Sequence, residues 1–213
     1  MVDVGANFGY YSIIASHLVG PSGRVLAFEP SPETGKILSA NIKTLENIEH
    51  ISMAVSDTSG LINFFHTSDF VNSGTVQDPP FQDRENVHHM EVKATTLDDF
   101  FNKGEQIDFL KIDIQGDDIK ALMGAKKLIQ RSNDIKVLVE WAPTWMGNAG
   151  YEADDLPRCL NDLGLEDIIV LDDWLEKEVG IDEFRQVLAK DGSGKRFANI
   201  FAQKNNKPPP HTK

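Results

Sequence analysis

Residues 2–12, Val2-Asp3-Val4-Gly5-Ala6-Asn7-Phe8-Gly9-Tyr10-Tyr11-Ser12, constrain the fold of this chain more than any other stretch. Val2 to Val4 reads as a short buried strand and Tyr10 onward as a helix, with Gly5 and Gly9 bracketing the turn between them. Glycine lets the backbone take unusual dihedrals and lets a ligand come close to it. A strand that turns sharply into a helix also aims free backbone N–H groups into the crevice at the sheet edge. The spacing then selects the ligand. A dinucleotide site uses G-x-G-x-x-G, whose middle glycine makes room for a pyrophosphate. Here the pattern is Gly5-x-x-x-Gly9, with Asn7 at that middle position. A bulky polar side chain there argues against a pyrophosphate, whereas an adenosyl group without phosphate fits.

Beyond this turn, helix and strand alternate. Ile13, Ile14, Leu18 and Val19 recur at helical spacing until Gly20-Pro21, and Arg24 to Phe28 reads as a second buried strand ending at Glu29-Pro30. Glu29 falls about twenty residues past the glycine turn, where an open α/β sheet places a carboxylate to accept the hydroxyls of a ribose. A loop carboxylate capping the next helix is the other reading of Glu29. A helix is predicted over Pro32 to Leu45 and a third strand over Ile48 to Val55, with Ser56-Asp57 at its tip. Asp57 there can accept from an exocyclic amine or serve as a plain turn residue.

Leu61 to His66 and Met90 to Ala94 read as two short extended segments. Between them Thr67 to His89 is polar, carries Pro79-Pro80 and shows no apolar period, as a lid, a binding loop or a disordered segment does; a mobile loop bordering the acceptor site is expected. Thr96 caps a short helix with early acids. Ile107 to Ile112 is the fourth strand, with Asp113 at its tip; Asp117 and Asp118 open one helix running to Ile129. Ile135 to Val139 is the fifth strand, with Glu140 and Trp141 at its tip, and Ala142 to Gly150 reads as a loop whose Pro143, Trp145 and Met146 suit a ligand wall. A helix over Ala153 to Leu163, a strand over Asp167 to Leu171, a polar and only partly helical connection, and a last strand over Ala198 to Gln203 complete the pattern.

Such alternation predicts a single doubly wound domain over residues 1–203, its sheet mostly parallel and its last strand antiparallel, followed by a disordered tail over 204–213. Composition narrows the partners. With 33 acidic against 21 basic residues the net charge is −12, which disfavours a nucleic-acid substrate. One cysteine, no signal peptide and no membrane-length apolar run point to a cytoplasmic protein.

With these residues in view, the chain resembles the FkbM-type family of S-adenosylmethionine-dependent methyltransferases. The likeness is carried by Val2 to Ser12, Phe28-Glu29-Pro30, Ala54-Val55-Ser56-Asp57, Thr96-Leu97-Asp98-Asp99, Leu110-Lys111-Ile112-Asp113, Gly116 and Asn199-Ile200. The resemblance implies a seven-stranded Rossmann-like methyltransferase fold with S-adenosyl-L-methionine as cofactor. It also implies O-methylation of a hydroxyl on a small molecule, sugar, glycan or lipid. By likeness, Asp3 and the Gly5–Gly9 turn hold the methionine end, Glu29 the ribose, and Ser56-Asp57 the adenine. Two departures stand out: Gln115 occupies a position where the family carries Glu, and Met1 directly precedes the first strand, where relatives carry an upstream helical segment.

Methyl transfer from a sulfonium needs positioning and a base for the acceptor's proton. Asp113 is the first candidate for that base, followed by Glu140 and His89; Asp113 also borders the expected cofactor site. A divalent metal on Asp113 is the second option, though no ligand spacing supports a metal site. Two other function classes fit the pattern less well: a nicotinamide-dependent oxidoreductase, and a non-catalytic adenosyl-binding protein.

Overall fold

The computed structural model describes residues 1–67, 87–172, 174, 176–191 and 196–205. The interior of the expected 67–89 loop and all but the first two residues of the expected tail lie outside them. Among the described residues, eight strands form the main sheet, in the order β10-β9-β11-β8-β7-β1-β2-β3. β1 (Val2–Val4), β2 (Val25–Phe28), β3 (Ile48–Ile51), β7 (Phe109–Ile112) and β8 (Lys136–Trp141) run parallel. Strands buried on both faces carry near-continuous apolar runs, as Val25-Leu26-Ala27-Phe28 does, with all four residues buried. β11 (Ala198–Gln203) enters antiparallel between β8 and β9 (Asp167–Asp172), as expected for the last strand, and β10 (Lys177–Val179) pairs antiparallel at the β9 edge. The eighth strand is thus a short hairpin addition to the expected seven.

Helices cover both faces. α1 (Tyr10–Val19) and α2 (Pro32–Ile42) enclose a smaller apolar cluster that includes Val25, Ala27, Leu38, Ile42 and Ile48. Ser31 caps α2 by accepting from Thr34 N at 3.2 Å, and Pro32 takes the first helical position, where its missing N–H costs nothing. The larger cluster gathers the inner residues of β7, β8 and β11 with Trp141, Leu156, Leu160 and Phe184.

Four local expectations are corrected. The predicted third strand over 48–55 divides in two: Met53 N donates to Ile51 O at 2.8 Å, a tight turn that leads the chain out of the main sheet into β4 (Ala54–Val55). β4 joins a second, three-stranded sheet with the hairpin of β5 (Gly60–Thr67) and β6 (Val87–Thr95). The predicted helix from Asp117 is broken into α4 (Asp118–Met123) and α5 (Lys126–Arg131). The break falls at Gly124, where a Cβ would lie 2.0 Å from the Ser56 carbonyl oxygen, so only glycine lets that backbone pass. Asp98, from α3 (Leu97–Phe100), then caps α5 by accepting from Lys127 N and Leu128 N at 3.0 and 2.7 Å. The predicted 142–150 loop contains α6 (Pro143–Asn148), and the polar connection after β9 forms β10 and the full helix α8 (Ile181–Asp191). No helix among the described residues is long and apolar enough to cross a membrane.

Candidate active site

The first turn is built against its neighbours. Gly5 N and Ala6 N both donate to Phe28 O, at 3.1 and 3.0 Å, which clamps the turn onto β2. Gly5 has φ +77, and a Cβ there would lie 2.1 Å from the Asp113 carbonyl oxygen. The glycine is therefore required by the backbone after β7 as well as by its own left-handed dihedral. Asn7, at φ +49, is also left-handed. Its backbone N–H donates to Glu29 Oε2 at 3.1 Å, and Ser31 N donates to Oε1 at 2.9 Å. Glu29 thus ties the first turn to the tip of β2 while only 6% exposed. A carboxylate oxygen can accept more than one bond.

At the C-terminal edge of β1, β2, β7 and β8 a cleft opens, with a cavity volume of about 200 Å³. Phe28, Met53, Val55 and Phe64 line its apolar side. Its polar side is formed by Asn7, Glu29, Asp113, Gln115, Asp117 and Glu140. Four of these six are carboxylates, and no lysine, arginine or histidine lines it among the described residues. Asn7 Oδ1 and Gln115 Oε1 are buried with no hydrogen-bond partner among the described residues. Both belong to residues with positive φ (+49 and +63), and such backbone strain clusters at ligand sites.

Beneath the cleft floor lies Lys111, 4% exposed in the middle of a buried strand. It stands directly opposite Asp3 in the β1–β7 pairing. Its Nζ lies 3.3 Å from Asp3 Oδ1 and 3.6 Å from Asp113 Oδ2, with the Tyr11 ring centroid 4.8 Å away. Desolvation pulls the ammonium down, but the charges of Asp3 and Asp113 outweigh it and hold the group above its ordinary value. Asp3 is fully buried and also accepts from Ser12 Oγ of α1 at 2.6 Å. Nearby, Lys120 Nζ donates to Asp117 Oδ1 at 2.6 Å.

Asp118 holds the loop after β7, accepting from Ile114 N and Gly116 N at 3.1 and 2.9 Å. Burial, followed by the charge of Asp113, pushes its carboxyl up to about 7, against the opposing backbone bonds. Gly116, at φ +104, is required because a Cβ would meet the Trp145 carbonyl oxygen at 2.5 Å.

The structure brings Gly5, Asn7, Glu29, Asp113 and Glu140 together at the cleft. Asp3 lies below it, and Gly9 starts α1, where a Cβ would press to 2.7 Å on Leu38 Cδ1. Ser56 and Asp57 follow β4 and bond to each other at 3.2 Å outside the lining; Met53, Ala54 and Val55 line the cleft instead. His89 is exposed on β6, its Nε2 3.0 Å from Asn63 Oδ1, and does not line the cleft. Trp141 and Met146 belong to the core, with Trp141 Nε1 donating to Ala153 O at 2.8 Å. Lys111 and Asp117 are the site residues that sequence reasoning missed. Lys111 carried a signal, a charge inside the apolar run Phe109 to Ile112. Among the described residues no three His, Cys, Asp or Glu side chains are grouped to hold a metal ion.

Residues 3–166 match the sequence family described as the Methyltransferase FkbM domain. No curated protein matches the chain in sequence. Among solved structures, the fold is similar to a methyltransferase FkbM from Methylobacillus flagellatus KT, at 16% identity and a TM-score of 0.53. That match covers 95% of this chain and 42% of the other, so the chain spans less than half of that protein's length. It is also similar to the fibrillarin of Aeropyrum pernix, a structure with natively bound S-adenosyl-L-methionine, at 17% identity and a TM-score of 0.51. There the match covers 94% of this chain and 64% of the other.

Proposed function

The chain belongs to the FkbM methyltransferase domain family, and from that membership we propose that it transfers a methyl group from S-adenosylmethionine to a hydroxyl of a small molecule, sugar or lipid. One observation carries the cofactor half of this reading: every ionisable side chain lining the cleft among the described residues is a carboxylate. Such a lining repels a pyrophosphate and suits a ligand with a sulfonium and an ammonium. The other features fit the same group. Two buried carbonyl oxygens, Asn7 Oδ1 and Gln115 Oε1, await donors, and the apolar side formed by Phe28, Met53, Val55 and Phe64 suits a flat base. Glu29 would receive the ribose hydroxyls, and Asp113, pressed against Gly5, the cationic amino-acid end. Asp3, expected at that end, is spent on Ser12 and Lys111.

When bound, S-adenosylmethionine supplies an activated methyl group. What remains for this chain is to hold the acceptor hydroxyl in line and take its proton. Glu140 is the base in this reading. It lines the cleft from β8, one strand further from the first turn than Asp113, and in this reading that side takes the acceptor. Calorimetry with S-adenosylhomocysteine and NAD tests the cofactor assignment. Heat with the first and none with the second is expected; the reverse overturns it.

A further inference from the structure

We infer that Lys111 is a positioning residue: it fixes the Asp113 carboxylate toward the cleft so that Asp113 receives the cationic amino-acid end of the cofactor. The inference rests on the S-adenosylmethionine reading above and adds to it the device that aims the acceptor group.

The starting point is burial. An ammonium is strongly solvated, and placing one at 4% exposure is costly unless carboxylates surround it. Lys111 has two, Asp3 and Asp113. Asp3, directly across the β1–β7 pairing, is fully buried and held in turn by Ser12 of α1. This side of the pair is closed and needs no further explanation than charge balance. Asp113 is different. Its side chain is 35% exposed at the cleft, and solvent alone would satisfy it. Its contact with Lys111 at 3.6 Å therefore is not required to pair Asp113; it restricts which way the carboxylate turns.

The surroundings make Lys111 a fixed anchor. The Tyr11 ring covers its Nζ at 4.8 Å, and the backbone of Asp113 is itself pinned by Asp113 N donating to Val4 O at 3.1 Å. Ser12 through Asp3, the strand pairing and the neighbouring Tyr11 ring thus hold one ammonium beneath one partly exposed carboxylate. Asp117 shows the same arrangement nearby, with Lys120 at 2.6 Å, while Glu29 is oriented by two backbone N–H groups. Three carboxylates in the cleft are oriented from behind, and of the two lysines that do so Lys111 is the one buried in the sheet.

Asp113 touches the ligand in this scheme, and Lys111 acts only through it. Removing Lys111 alone would strand Asp3 and change the local charge. The informative variant is Asp3→Asn with Lys111→Met, which removes one charge of each sign and leaves the total charge of the cluster as it was. Affinities for S-adenosylhomocysteine and for 5′-methylthioadenosine, which lacks the amino-acid end, are measured by calorimetry. In the paired variant, S-adenosylhomocysteine should bind about tenfold more weakly while 5′-methylthioadenosine stays within about twofold. Asp113→Asn alone should show the same split, and adding it to the paired variant should cost no more. A loss shared equally by both ligands marks a merely structural role and overturns the inference. So does an unchanged affinity for S-adenosylhomocysteine in Asp113→Asn, a test that does not depend on the paired variant folding. Failure of the wild-type protein to bind S-adenosylhomocysteine at all overturns the cofactor reading, and this inference with it.

Discussion

At the scale of single residues, Glu29 is committed before any ligand arrives: one oxygen accepts from Asn7 N and the other from Ser31 N. Glu29→Ala should weaken S-adenosylhomocysteine by about 10- to 100-fold, the worth of a charge-assisted hydrogen bond. Glu29→Gln should fall close to the same value, because its NH2 must face one of those two N–H donors. A glutamine variant that binds like wild type would show that Glu29 meets no ribose. Glu140→Gln should leave that affinity within a few-fold and lower the methyl-transfer rate by about 10²-fold or more if Glu140 is the base. Single-turnover assays with labelled S-adenosylmethionine read this directly. Asn7 and Glu29 were legible in the sequence because each stands at a fixed offset from the glycine turn. Lys111 stands out only as a charge inside an apolar run; what it pairs with shows once the partner strand sets Asp3 opposite it.

Among the elements, the five parallel strands and the antiparallel β11 could be read from apolar runs and their punctuation. The errors fall where a tertiary contact overrides the local pattern. The break falls at Gly124, where the backbone of Ser56 occupies the space that any side chain would use. The strand over 48–55 has no Gly or Pro to announce its division, and only the Met53–Ile51 turn directs its end to another sheet. α6 is a single short stretch opened by Pro143, too brief for periodicity to register. The first turn yields the sharpest prediction at this scale. Gly5→Ala combines left-handed strain with a Cβ 2.1 Å from the Asp113 carbonyl, whereas Gly20, at φ +70, has nothing within 4 Å. Gly5→Ala should cost about 2–5 kcal/mol and lower Tm by about 5–15 °C; Gly20→Ala should cost about 1–3 kcal/mol, from its dihedrals alone. Thermal unfolding of the two variants separates contact from dihedral strain, and equal losses would mean the Asp113 contact relaxes freely.

For the molecule as a whole, Asp118 sets a pH dependence of opposite sign to that of an ion-paired carboxylate. Its folded value of about 7 lies above the ordinary 3.8, so between those values the native chain keeps a proton that the unfolded chain releases. Stability from this group therefore falls as pH rises from about 4 to about 7, and is constant beyond either end. Asp118→Asn should flatten that part of the profile; urea midpoints at both ends, compared with wild type, check it. A variant whose midpoint shifts with pH as the wild type's does would place the titration elsewhere. The strand order carries a further consequence, for synthesis. β11 is the last of the described strands in chain order, yet it lies between β8 and β9, so each lacks its neighbour on that side until residues 198–203 emerge from the ribosome. The half of the sheet that holds the cleft, β3-β2-β1-β7-β8, needs nothing after Trp141 to complete its own pairing. A nascent chain can therefore assemble the cleft-bearing half early, but must guard two exposed sheet edges until β11 slides in and closes them.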